Sequence, residues 1–492
     1  MKKMDWKSMG RSVSTVAAAL LMSATLPAGQ VWAADLDRDG YDDLVVGAPG
    51  EAPGADPSSG AAFLFRGGAG GMTVAQALDQ SGLTGNGPGD DFGRAVATGD
   101  FDSDGYVDLA VGIPGKDFGS TPNVGMVLVF KGSAQGLVGQ QMLDQALNTN
   151  DDGDLFGTSL AVGDFNGDGY DDLVVGAPGE SIGVGSPGPR TGVVFHFQGS
   201  PDGLVYVRYL SQEPLDLAEG EDDFGRTLVA GDLDRDGYDD LVVGAPGEDL
   251  GRGPSGLLFV FRGSPEGLSA SYTLDQSPST NDSGDRFGDS LALGDFNGDG
   301  YLDLAVGAPG EAVGSGSPGP RSGVAFYFRG SPNGLSYVRY LSQGSMGGDE
   351  GGDEFGRALA AGDFDGDGKD DLVVGAPGEA IGNGARSGAA FLFRGTTNGP
   401  ASVRYLSQSG LAANGQGDRF GAALVTGDYN GDGYADLAVG APGKTSLAGT
   451  RSGGVFIFRG QVKNLLAAHQ WLDQGGAGLD EAGDSFGAGL SR

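Results

Sequence analysis

The chain has no cysteine among its 492 residues. Structural disulfides, thiol catalysis and thiolate metal sites are therefore excluded. Histidine is nearly absent too, with only His196 and His469. Basic residues are scarce, 30 Lys and Arg against 66 Asp and Glu, for a net charge of −36. A chain this acidic is repelled by nucleic acid and by anionic membrane surfaces, so neither is an expected partner. After residue 33 no apolar run is long enough to cross a bilayer, and no later window carries a helical apolar period. Glycine, by contrast, is abundant at 97 residues. The glycines recur at regular intervals with apolar runs between them, the pattern of periodic turns rather than of disorder.

The N-terminus reads as an export signal. Lys2, Lys3, Lys7 and Arg11 precede the short apolar run VSTVAAALLMSATL, and Val31-Trp32-Ala33 offers small residues for cleavage after Ala33. Residues 1–33 are thus expected to be a signal peptide and residues 34–492 the mature domain, secreted or held at the cell surface, with no membrane span after cleavage. An exported protein without disulfides needs another staple.

A repeat supplies it. An acidic phrase starts at Asp35, Asp100, Asp164, Asp232, Asp295, Asp363 and Asp428, with spacings of 65, 64, 68, 63, 68 and 65. Fixed periods of this length mark solenoids and propellers. Each unit opens on Phe-Gly and a short apolar segment, then the acidic loop. A run such as DLVVGAPGE follows, then a Gly/Pro/Ser loop, an aromatic run such as GVAFYFRGS, a turn, and a last run ending YLSQ or LDQ. Four strand-sized runs per unit is the pattern of a propeller blade. The fold expected is all-β, a seven-bladed β-propeller. The last residues, GDSFGAGLSR, form an opening strand with no loop after it, whereas residue 34 begins at a loop with no strand before it. The C-terminal strand should complete the first blade and close the ring, which removes exposed edges. Gly179–Gln212 nearly repeats as Gly310–Gln343, an offset of 131 residues or two blades, so the array grew partly by copying pairs.

The acidic loops follow Asp-x-Asp/Asn-x-Asp-Gly-x-x-Asp. Side chains at positions 1, 3, 5 and 9 and the carbonyl at position 7 can converge on one hard cation, with glycine at position 6 for the sharp turn. The seven candidate sets are Asp35, Asp37, Asp39, Tyr41 and Asp43; Asp100, Asp102, Asp104, Tyr106 and Asp108; Asp164, Asn166, Asp168, Tyr170 and Asp172; Asp232, Asp234, Asp236, Tyr238 and Asp240; Asp295, Asn297, Asp299, Tyr301 and Asp303; Asp363, Asp365, Asp367, Lys369 and Asp371; and Asp428, Asn430, Asp432, Tyr434 and Asp436. Calcium takes six to eight oxygens at flexible geometry and fits better than magnesium. This is not an EF-hand: Val46 and Val111 stand where the twelfth-position Glu would be. Acidic β-turns alone do not require four acids at fixed offsets in seven copies. Of the 28 side-chain positions, 25 are Asp. Without a cation each close carboxylate pair repels by roughly 4 kcal/mol at an effective dielectric near 20. At roughly 0.1–1 mM affinity and about 1 mM free calcium, each site adds roughly 0.4–1.4 kcal/mol, or about 3–10 kcal/mol over seven sites. About seven structural calcium ions are expected.

The paired Phe-Gly and Gly-Ala-Pro phrases around such a loop resemble the FG-GAP repeats of the integrin α-chain head, with similar repeats in glycosylphosphatidylinositol-specific phospholipase D and in bacterial exported proteins. Gly-Ala-Pro stands at Gly47–Pro49, Gly176–Pro178, Gly244–Pro246, Gly307–Pro309, Gly375–Pro377 and Gly440–Pro442, and the second repeat departs with Gly112-Ile113-Pro114. The resemblance covers residues 34–492. It implies cation loops on a lower face and ligand binding on an upper face, built from the loops between second and third strands and between blades. No adhesion domain is inserted and no leg region is present, so extracellular recognition or adhesion is what carries over. Integrin signalling does not.

His196 sits where the sister blades carry Tyr327, Leu392 and Ile457, a variable strand position, and His469 has no Ser or Asp partner implied. The loop aspartates advertise no open coordination position for hydrolysis. The sequence is therefore read as that of a protein that is not an enzyme. Arg190, Arg321, Arg386 and Arg451 recur in equivalent upper loops and could grip an acidic or glycan ligand; pairing with a carboxylate such as Glu180, Glu311 or Glu379 is the favoured alternative. The function expected is a secreted, monomeric, calcium-binding propeller that recognises an extracellular protein or glycan. The alternative is an extracellular hydrolase or lyase acting on glycan or lipid through the upper loops.

Overall fold

The computed structural model describes residues 34–492 apart from 53–57, 83–84, 146–150, 182–189, 213–219, 252, 277–281, 313–321, 345, 347–349, 383, 446–451, 464, 474–484 and 491–492. The expected signal peptide lies outside the described residues. Seven sheets of four antiparallel strands each form the ring, one per repeat. In blade 2 the strands are Val96–Gly99, Asp108–Ile113, Met126–Lys131 and Val138–Leu143, in sequence order from the axis outward. Blades 3 to 7 repeat this order, whereas in blade 1 the strand nearest the axis is Gly489–Leu490. Among the described residues the only helical element is a 3-10 turn at Gln408–Gly410.

The burial of each strand follows from its place. Second strands such as Asp172–Ala177 and Asp240–Ala245 are buried at every residue. That explains why DLVVGA reads as a continuous apolar run rather than an alternating one: neighbouring blades cover both faces. Val127 and Val129 of blade 2, for example, pack with Leu173 and Val175 of blade 3. Fourth strands face solvent and alternate, as in Val205–Leu210.

The Phe-Gly and Gly-Ala-Pro phrases meet where blades touch. Phe156 is fully buried and stands edge-on to Phe195 at 5.3 Å. A Cβ added at Gly112 would lie 2.0 Å from the carbonyl oxygen of Gly157 in the next blade. Replacing Gly112 by Ala should therefore force the two blades apart and cost about 1–3 kcal/mol or more, read as a lower denaturant midpoint.

Ring closure is as the chain ends imply. Gly489–Leu490 pairs with Leu44–Ala48, with Val46 opposite Leu490 and Gly47 opposite Gly489. Phe486 is fully buried and meets Phe63 edge-on at 5.5 Å. On the outer rim the amide of Gln470 in blade 7 both donates to and accepts from the Met72 backbone of blade 1, at 2.9 Å each way.

Candidate metal centres and the upper face

The acidic loops of blades 2 to 7 join the first and second strands of their blades, and that of blade 1 leads into Leu44–Ala48 from the same side, so all seven line one face of the ring. Each is organised by its own carboxylates. In blade 2 Asp100 accepts the N–H groups of Asp104 and Gly105 at 3.0 and 2.8 Å, and Asp104 accepts that of Tyr106 at 2.9 Å. Asp108 is buried and ties the loop to the end of the third strand, accepting N–H bonds from Phe101 at 3.2 Å and Gly132 at 2.8 Å. The same bonds hold Asp43 to Leu36 and Gly67 in blade 1.

Four loops bring three carboxylate oxygens within 4.8 Å of one another: Asp35, Asp37 and Asp39; Asp100, Asp102 and Asp108; Asp232, Asp234 and Asp236; and Asp363, Asp365 and Asp371. In the three loops with Asn at position 3, the amide turns to the ninth-position carboxylate. Asn297 donates to Asp303 and Asn430 to Asp436, each at 2.8 Å, and Asn166 reaches Asp172 at 3.4 Å. The donors are all hard oxygens, the set that suits a calcium-class ion. In blade 4 the buried atoms Asp234 Oδ1 and Asp240 Oδ2 have no hydrogen-bond partner, which fits a position for a cation. A bound cation would be held there by Asp232, Asp234, Asp236 and Asp240, supplying countercharge.

Burial pushes the ninth-position carboxyls up, only partly opposed by their N–H bonds. Asp43, Asp108, Asp240 and Asp371 rise to about 7, and Asp303 and Asp436 to about 6.

Three features of these loops go beyond the ligand pattern. A basic residue closing the third strand reaches into the loop of its own blade: Arg66 lies 2.9 Å from Asp37, and Lys131, Arg262 and Arg394 pair with Asp102, Asp234 and Asp365. The eighth position, passed over in the sequence pattern, links blades. Asp171 accepts the N–H of Asp100 in the preceding blade at 2.8 Å, and Asp42 accepts that of Asp428 at 2.8 Å across the ring closure. Position 7, expected to offer a carbonyl, also covers the neighbouring loop with its side chain: a Cβ at Gly167 would meet the Tyr238 ring at 2.6 Å, and one at Gly431 the Tyr41 ring at 3.0 Å. The recurring Phe-Arg-Gly and Tyr-Asp-Asp phrases were the available signals.

His196 is buried, with Nε2 3.4 Å from Asp172 Oδ2. At the matching place Tyr327 donates to Asp303 at 2.9 Å. The variable strand position therefore touches the loop in these two blades. His469 is partly buried beside Gly71.

The opposite face carries the connections between blades and between second and third strands. There the side chains that follow the Phe-Gly pairs converge on the axis. Arg94, Arg226 and Arg357 surround a cavity of about 270 Å³, with Asp289 paired to Arg357 and Arg286. Burial and the two neighbouring arginines lower the pKa of Arg94. Of the four loop arginines, Arg190 donates to the Asp152 carbonyl at 3.1 Å and acts on the nearby Asp154 carboxylate, and Arg386 lines a second cavity of about 610 Å³ with Asp418 and Thr445. Arg321 and Arg451 lie outside the described residues.

A family model described as FG-GAP repeat matches residues 28–65, 92–130, 156–197, 224–261, 287–320, 355–393 and 420–458, more than half of the chain. The chain belongs to the FG-GAP repeat family. Integrin alpha-5 of Xenopus laevis is 33% identical over 232 residues, 44% of this FG-GAP chain and 20% of the integrin. Phosphatidylinositol-glycan-specific phospholipase D of Bos taurus is 30% identical over 475 residues, 87% of this chain and 54% of the phospholipase. The FG-GAP chain thus spans about half, or less, of the length of these relatives. Among solved structures, the periplasmic gluconolactonase of Pseudomonas aeruginosa covers 90% of the chain and 96% of itself at 15% identity and a TM-score of 0.50, a likeness of fold alone.

These relatives correct one expectation. The chain was read as no enzyme because its histidines and loop carboxylates form no catalytic set. A named phospholipase matches nearly the whole FG-GAP ring, so the absence of a familiar catalytic set does not exclude catalysis. Among the described residues no helix is long and apolar enough to cross a membrane.

Proposed function

We propose that the chain is an extracellular recognition propeller of the adhesion type, in which calcium staples the lower face and the ligand docks on the upper one. The carrying observation is the gathering of arginines at the axis of the upper face. The acidic loops gather on one face, while Arg94, Arg226 and Arg357 meet at the mouth of the opposite face in a chain of net charge −36. A cluster of guanidinium forks there favours an acidic ligand, a carboxylate-bearing glycan or an acidic protein segment. Kinship with integrin alpha chains supports the adhesion reading. Calcium on the lower face serves this function indirectly, by fixing the blades that present the upper loops.

A second reading, an extracellular hydrolase or lyase acting on a glycan or lipid through the upper loops, is supported by the phospholipase D relative. One experiment separates them. The protein is applied with and without calcium to an array of acidic glycans and matrix proteins, beside turnover assays on polysaccharides and on phosphatidylinositol-glycan. The recognition reading expects calcium-dependent binding that falls at least tenfold in Arg94→Ala/Arg226→Ala, with the melting temperature held. Arg357 is left in place so that Asp289 keeps its partner. Turnover abolished by the same pair of changes would instead establish the second reading, and binding unaffected by them would retire the arginine mouth as the ligand seat.

A further inference from the structure

A second set of carboxylates recurs on the upper face, away from the acidic loops. In the six repeats whose residues are described, an Asp two residues before the Phe of Phe-Gly meets a Gln from the end of the preceding blade's fourth strand. Gln276 donates to Asp285 at 2.7 Å, Gln145 to Asp154 at 3.2 Å and Gln408 to Asp418 at 2.7 Å. The residue that follows the Gly-Ala-Pro-Gly or Gly-Ile-Pro-Gly phrase completes the cluster, and it comes in two kinds.

In blades 2 and 7 it is a lysine. Lys116 Nζ sits 2.9 Å from Asp90 and donates to the Gly85 carbonyl at 2.9 Å; Lys444 Nζ sits 2.9 Å from Asp418 and donates to the Ala413 carbonyl at 2.6 Å. Both ammonium groups are largely buried, with side chains 12% and 7% exposed. In the remaining blades it is a glutamate: Glu51, Glu180, Glu248, Glu311 and Glu379. All five are buried.

A second position changes in step. Three residues before the Asp, the lysine blades carry Gly87 and Gly415, whereas the glutamate blades carry Asp151, Glu219, Asp282, Glu350 and Glu481. Each cluster is thus either one acid beside a buried lysine or three acids, with Arg190 acting on Asp154 in blade 3. Glu219, Glu481 and Asp484 lie outside the described residues, and the inference concerns the other three clusters.

Their geometry converges. Glu350, Asp353 and Glu379 place one oxygen each within 4.8 Å of the others. In blade 5 Asp285 and Glu311 share a hydrogen bond, while the buried atoms Glu311 Oε2 and Gln276 Oε1 have no hydrogen-bond partner. In blade 3 the buried atoms Asp154 Oδ1 and Gln145 Oε1 likewise have none. Burial, with Asp285 beside it, pushes Glu311 up to about 8, and burial with Asp154 beside it does the same to Glu180.

We infer that Asp151–Asp154–Glu180, Asp282–Asp285–Glu311 and Glu350–Asp353–Glu379 each hold a hard divalent cation of the calcium class, at the place the lysine ammonium fills in blades 2 and 7. The donors are carboxylate oxygens with a Gln side-chain oxygen beside them, the hard set that calcium selects. These ions are additional to any in the lower loops.

The test exchanges one solution for the other. Asp151→Gly/Glu180→Lys, Asp282→Gly/Glu311→Lys and Glu350→Gly/Glu379→Lys import the residue pairs of the lysine blades. Calcium binding to the full chain is measured by equilibrium dialysis. The expected result is the loss of one bound calcium per converted cluster, with the melting temperature in chelator equal to or above that of the unaltered protein. An unchanged stoichiometry in folded variants would overturn the inference and leave the carboxylates as proton-sharing pairs. Should a lysine variant fail to fold, Glu311→Gln together with Asp282→Asn tests the same site, and retention of its calcium overturns the inference equally.

Discussion

Excess chelator should lower the melting temperature of this protein by about 3–10 °C, taking a melting entropy of roughly 1 kcal/mol/K for a ring of this size and roughly 3–10 kcal/mol of calcium stabilisation from the lower loops. Upper-face sites would enlarge the effect. The dependence on pH gives a sharper version, because it has opposite signs with and without the ion. In chelator, Asp43, Asp108, Asp240 and Asp371 have folded-state values near 7, and Asp303 and Asp436 near 6, all raised chiefly by burial. The unfolded chain holds its aspartates near 4. Between about pH 4 and 7 the metal-free folded state therefore binds more protons than the unfolded one, and its stability falls as pH rises through that window. In saturating calcium the bound state requires ionised carboxylates, so the calcium-induced gain grows with pH over the same range. Calorimetric melts at pH 5 and pH 7.5, each in chelator and in calcium, check this. A melt indifferent to chelator at pH 7.5 would remove calcium as the staple.

Removing residues 486–492 should be the most damaging short deletion. It takes away the strand that pairs with Leu44–Ala48 and the fully buried Phe486 ring packed on Phe63 and Phe65. Loss of a buried Phe alone costs about 3–5 kcal/mol, and the deletion also leaves Leu44–Ala48 as an unpaired edge open to association. The truncated chain should melt earlier and elute as oligomers in size exclusion. Phe486→Ala should show the earlier melt without the association, because its strand still covers the edge. A truncated protein that stays monomeric with an unchanged melt would mean that the ring does not depend on this closure.

The blade count, the strand order and the closure were legible because they depend on chain periodicity and on which strand is missing at each end. The acidic pattern of the loops, and the carboxylate clusters it makes in four of them, was legible for the same reason, being local. What escaped were contacts made across blades. Asp171 and Asp42 looked like spare acids beside the ninth position, yet each accepts an N–H from the neighbouring loop. The basic residue in Phe-Arg-Gly is some 29 positions from its partner aspartate, as with Arg66 and Asp37, too far for a local pattern to reveal. His196 was recognised as variable but not as a neighbour of Asp172. The arginine mouth gathers Arg94, Arg226 and Arg357 from three repeats, and only ring geometry brings such residues together.

The join at the ring seam also sets how the molecule responds to load. Gly489–Leu490 runs antiparallel to Leu44–Ala48, with Leu490 opposite Val46, so Leu44 and Leu490 are strand ends on the same side of the seam. Tension applied between those ends peels the seam open one hydrogen bond at a time instead of shearing several together. A load applied at Leu44 and Leu490 therefore meets the weakest direction of an otherwise stiff disc.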